Sequence, residues 1–207
     1  GERLWKKKDE PKIEVYFNSK DPECYHLTNM DIQQGGRIIE SIPTYYIRLK
    51  IVNSGVATME NTEVVLEGID PKPERFMSLN LSWAGFNVPP NDIKREVRIP
   101  HKQSRIVDVI EVMEPSQTAS LASRLGSNRD SDTDRYTAYS KGFRSCSIKP
   151  NTLSDILPAG KYVLHIGVYA DNTKPKTIKL SIDYDGSWST EGISGMRRKH
   201  LKVKLLE

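Results

Sequence analysis

Apolar and polar residues alternate with period two along most of this chain. Over 44–53, Tyr45, Ile47, Leu49 and Ile51 fall on one face, while Tyr46, Arg48 and Lys50 take the other and make it the wetter one. Over 62–67, Val64 and Leu66 oppose Glu63, Val65 and Glu67. The intervening Asn53-Ser54-Gly55-Val56-Ala57-Thr58 is rich in turn formers, so the two runs read as neighbouring strands of an antiparallel sheet. Further alternation predicts strands at 12–17, 76–83 (Leu79, Leu81 and Trp83 in phase), 104–113, 143–148, 162–170, 176–184 and 200–205, with a short edge strand at 96–100. Asp70-Pro71-Lys72-Pro73 and Val88-Pro89-Pro90 break the pattern, because proline cannot donate to a central ladder.

Two stretches lack the period. Residues 18–36 are polar, with a short strand or packed loop at 24–27 and a turn at Gly35-Gly36. Residues 114–142 form a long polar insertion, in which a short helix over 120–125 is the only regular element suggested. Connections of that length are usually functional or mobile. About nine strands and almost no helix predict an all-β fold, an immunoglobulin-like antiparallel β-sandwich occupying 12–206 as one domain. Residues 1–11 precede it as a charged linker.

Composition narrows the function classes. The 207 residues carry a formal net charge of +4, with both signs mixed along the chain. A nucleic-acid binder concentrates its basic residues on one face, so no nucleic-acid partner is expected. Lys6-Lys7-Lys8 and Arg197-Arg198-Lys199 are the two basic clusters. The first also suits a juxtamembrane segment drawn to anionic lipid, which would place the domain on the cytoplasmic side. Two cysteines, Cys24 and Cys146, exclude a disulfide-dense scaffold and leave their pairing open.

The turn Asn53-x-Gly55-x-Ala57 and the run Pro158-Ala159-Gly160-Lys161-Tyr162 resemble the adhesion-type, CARDB-like immunoglobulin modules of bacteria and archaea. The resemblance implies glycine for a positive φ and asparagine to cap the turn. A wider set (Cys24-Tyr25-His26-Leu27-Thr28, Tyr46-Ile47-Arg48-Leu49-Lys50, Leu79-Asn80-Leu81-Ser82-Trp83, Tyr162-Val163-Leu164-His165-Ile166 and Gly186-Ser187-Trp188) resembles a prokaryotic family in which a membrane anchor precedes a soluble β-sandwich. By that resemblance residues 1–12 match the basic juncture after an anchor, and no catalytic residue carries over.

Candidate chemistry is sparse. Cys24, His26, Cys146 and His165 have no metal-ligand spacing. Asp130, Asp132 and Asp134 imitate the start of a calcium loop but lack its glycine and closing glutamate, and read as a solvated loop. There is no Gly-x-Ser-x-Gly, and His26, His101, His165 and His200 sit in unrelated contexts. Trp83, Phe86, Tyr136, Tyr139 and Trp188 could build an aromatic platform, with Trp83 assigned to the core and Trp188 to the surface. Asn80-Leu81-Ser82 is a glycosylation sequon inside an expected strand.

The resulting expectation is a non-catalytic soluble interaction module of a membrane-anchored protein, using no cofactor, metal or catalytic residue. Its partner would be another protein, engaged through end loops or an exposed strand edge. The alternative is a carbohydrate-binding or accessory domain of a cell-surface hydrolase, located outside the cell.

Overall fold

The structure, a computed structural model, describes residues 9–85, 94–126, 131–150 and 154–206. It is an all-β antiparallel sandwich, 52% strand and 15% helix, so helix is more than the trace the sequence suggested. The strands in chain order are β1 (Ile13–Tyr16), β2 (Tyr25–Gln34), β3 (Arg37–Asn53), β4 (Met59–Asp70), β5 (Leu79–Asn80), β6 (Ser82–Trp83), β7 (Val97–Ile99), β8 (Ser104–Met113), β9 (Gly142–Ser145), β10 (Ile156–Pro158), β11 (Gly160–Tyr169), β12 (Lys176–Tyr184) and β13 (Leu201–Leu206). Helices α1 (Pro115–Leu125) and α2 (Ser131–Tyr139) lie between β8 and β9, and the short α3 (Gly192–Gly195) runs into a π-helical turn, Met196–His200.

The first sheet has the order β1-β3-β8-β9-β10, with β2 also on β3 and β6 also on β8. The second runs β13-β12-β11-β4-β5, with β7 also on β4. Tyr45, Ile47, Leu49 and Ile51 of the first sheet face Val64, Leu66, Leu164, Ile166, Leu180 and Ile182 of the second in one buried core. That burial is the dividend of the period-two pattern.

The strand count exceeds nine because the chain repeatedly changes sheet, and period two does not report such crossings. The 53–58 turn is not a hairpin: β3 and β4 belong to different sheets, and the turn carries the chain across the sandwich. Asn53 secures it. Its buried side chain accepts from the Lys12 and Gly55 N–H groups and donates to the Ala57 and Ile99 carbonyls. Gly55 is not at positive φ, contrary to expectation; a Cβ there would lie 2.4 Å from the Glu10 carbonyl oxygen. The expected 76–83 strand is likewise divided. Leu79–Asn80 pairs with β4 in one sheet, Ser82–Trp83 pairs with β8 in the other, and buried Leu81 lies at the crossing.

The 24–27 element is part of a ten-residue strand, β2, which pairs with an extended β3 through the Gly35-Gly36 turn. Both glycines have positive φ, as a two-residue hairpin turn requires. The polar insertion is a helical pair. Glu114 caps α1 by accepting from the Ser116 and Gln117 N–H groups, and Pro115 occupies the first turn. Leu121 and Tyr139 then close over Ile32, Ile42 and Met113 in a second, smaller core. Among the described residues no helix is long and apolar enough to cross a membrane.

Candidate functional site

Two features stand out, a cleft and a buried charged cluster, and Asp155 belongs to both. The cleft, about 250 Å³, opens between β4–β5 of one sheet and β9–β10 of the other. Its apolar wall includes Leu66, Ile69, Phe76 and Leu79. Facing it, Ser145, Ser147 and Lys149 recur at every second residue, the spacing that sends extended side chains to one side. Ser145 and Ser147 are hydrogen-bonded to each other through their hydroxyls at 3.1 Å. The Ser145 N–H donates to the Asp155 carbonyl at 2.8 Å, which brings the Asp155 backbone to the same wall. β9 and β10 approach so closely that a Cβ on Gly142 would sit 2.0 Å from the Leu157 carbonyl oxygen. Glycine at 142 therefore sets the position of this wall.

Behind the wall, on the outer face of the first sheet, lies the charged cluster. Glu111 of β8 is fully buried. The Tyr139 hydroxyl donates to its Oε1 at 2.6 Å, and Arg144 Nη2 donates to Oε2 at 2.7 Å. The cross-strand registers Tyr46–Glu111 and Glu111–Arg144 explain the meeting, since all three side chains leave the sheet on the same side. Arg144 also approaches Asp155 Oδ2 at 3.6 Å, and Arg135 of α2 approaches the same oxygen at 3.8 Å. The second helix thus acts as a lid on ions that open water would otherwise hydrate.

The electrostatics follow from that burial. Desolvation first, and the Glu111 charge second, push the Tyr139 and Tyr46 hydroxyls and the Cys146 thiol well above their ordinary values. Burial alone would lower the Arg144 guanidinium, but Glu111 reverses the sign and its pKa rises. Asp108 pairs with Arg48 at 2.6 Å, yet burial outweighs the pair and raises the carboxyl. The phenols and the thiol stay protonated at pH 7, and the Tyr139 hydroxyl spends its hydrogen on Glu111.

The residues singled out from sequence are scattered. Cys24 and Cys146 are both free and buried. His26, in the first sheet, leans on the Pro22 carbonyl, while His165 stands on β11 of the second sheet, paired with Gly68 of β4. Among the described residues no three His, Cys, Asp or Glu side chains are grouped to hold a metal. Asp130 lies outside the described residues, and Asp132 and Asp134 belong to α2 rather than to a loop. Trp83 is a core residue as expected, its Nε1–H donating to the Arg95 carbonyl. Trp188 is no open platform, because its ring packs 4.7 Å from Tyr45 against the main core. Tyr136 and Tyr139 do stack, at 6.2 Å, but beneath the helical pair, and Phe86 lies outside the described residues. Asn80 donates to Glu63 from within β5.

Sequence reading missed the cleft and the cluster alike. For the cleft, Ser145, Ser147 and Lys149 carry a local signal, alternation of polar residues where an inward strand face should be apolar. Glu111 left a similar trace, a carboxylate inside the Ile110–Met113 run. No family model, curated protein or solved structure matches this chain.

Proposed function

We propose that this protein is a non-catalytic interaction module that binds an extended segment of a partner protein, seating one bulky apolar side chain in the β4–β5/β9–β10 cleft. The cleft's two unlike walls carry this reading. The apolar wall rewards burial of one large side chain by about 1.5–3 kcal/mol. Hydroxyls and a lysine on the other wall can bond the peptide groups on either side of that residue. The bond between Ser145 and Ser147 uses one of their two hydroxyl hydrogens and leaves the other, with the remaining lone pairs, for a ligand.

Selection from a displayed library of random peptides tests this. The expected outcome is enrichment of sequences sharing one bulky apolar position, with binding lost in Ser147→Trp, whose ring fills the cleft. Enrichment that Ser147→Trp leaves intact, or no enrichment, overturns the proposal. The membrane tether belongs to the same reading and rests on Lys6-Lys7-Lys8, which lie outside the described residues. A reporter fused to the full-length protein should be found on the cytoplasmic side of a membrane, and one found outside the cell overturns the tether.

A further inference from the structure

The first sheet ends on a strand whose outer edge is unpaired among the described residues, where β2 is bonded only to β3. The Arg48 N–H donates to the Cys24 carbonyl, and Asn29 lies opposite Pro43, which has no N–H to give. Together with the register these fix the phase of the ladder: Cys24, His26, Thr28 and Met30 point their backbone groups inward, while Tyr25, Leu27, Asn29 and Asp31 point theirs outward. The Tyr25 N–H is taken by the Asp21 carbonyl. Among the described residues the N–H and C=O groups of Leu27, Asn29 and Asp31 have no partner, and all three side chains are exposed.

Other edges are defended in ways this one is not. β13 carries Lys202 and Lys204, β10 is three residues long and ends on Pro158, and β1 has four residues. β2 has ten residues with no lysine, arginine or proline. Such an edge specifies the chemistry of its occupant, another extended strand.

We propose that the occupant is a second copy of this chain, giving a two-fold dimer in which β2 pairs antiparallel with β2 of the partner, centred on Asn29. That register sets Asn29 against itself and Leu27 against Asp31 of the other copy. Every free N–H and C=O of Leu27, Asn29 and Asp31 is then satisfied, and the two amide side chains meet on the axis. The strand's one formal charge, Asp31, faces leucine and never its own copy, so self-pairing meets no like-charge penalty across the axis. The contact is isologous and closes after two subunits.

The test is sedimentation equilibrium of the purified chain from micromolar to millimolar concentration, with two variants. Asn29→Pro removes an N–H that the monomer leaves unbonded, and proline is tolerated on an edge strand, so the fold survives while the dimer is lost. Asn29→Cys places two thiols across the axis at a hydrogen-bonded antiparallel pair, where Cα atoms lie about 5.5 Å apart, within disulfide reach. Mild oxidation should then link the chains, whereas Gln33→Cys, off the axis, should not link. A wild-type chain that stays monomeric throughout, a dimer unchanged by Asn29→Pro, or cross-linking equal at positions 29 and 33 overturns the proposal.

Discussion

Glu111 is a side chain whose loss the structure should tolerate poorly. It is fully buried, and its charge is answered by Arg144 and by the Tyr139 hydroxyl. Glu111→Ala removes the main partner of the half-buried Arg144 guanidinium and leaves the buried Tyr139 phenol without its acceptor, and should cost about 3 kcal/mol in urea unfolding. Asn53 matters for a different reason, since one amide serves four backbone groups at a sheet crossing. Acid dependence has a clear source at Asp21. The hydrogen bond from Lys50, with a second from the Glu23 N–H, holds its carboxyl below the ordinary aspartate value. A carboxyl depressed by folding stabilises above its unfolded pKa, about 3.9, and that contribution disappears as pH falls through the folded value. Asp21→Asn should therefore make the loss of urea stability between pH 5 and pH 2 shallower than in the wild type.

The α1–α2 pair is attached through few residues and should behave as a separable unit of stability. Leu121 is its main apolar anchor, within the cluster of Ile32, Ile42, Met113 and Tyr139. Leu121→Ala should cost about 2–3 kcal/mol, with amide exchange accelerated in both helices first and in β11 and β12 last. These helices were the least legible elements in the sequence. In α1, Ser116, Ser120 and Ser123 make up an exposed face of weak helix formers, and the buried face offers only Thr118, Leu121 and Ala122, too few for a clear helical period. Pro115 after Glu114, followed by the Leu121–Leu125 spacing, was the available signal. Strand existence was readable because alternation depends only on one face meeting the core. Strand partnership was not, since Leu79-Asn80-Leu81-Ser82-Trp83 alternates identically whether it stays in one sheet or crosses at Leu81.

At the scale of the whole molecule, the sandwich opens a cleft between β4–β5 and β9–β10. That opening was invisible in the sequence because its two walls are about eighty residues apart in the chain, and only the register of both sheets brings them together. Trp188, the surface aromatic that sequence favoured for a sugar, instead rests on Tyr45. Trp188→Ala should lower stability by about 2–3 kcal/mol in thermal or urea unfolding, as removal of a packed ring does, and not act as a selective loss of ligand. The central claim is that the cleft seats an apolar side chain of a partner. The most direct measurement is methyl NMR of the isotope-labelled chain titrated with the peptide that selection enriches. Shifts confined to Leu66, Ile69, Leu79, Ile156 and Leu157, and abolished by Ser147→Trp, are the expected result. Shifts centred on Leu27 and the β2 edge, or on the outer face around His165 and Thr177, would contradict it.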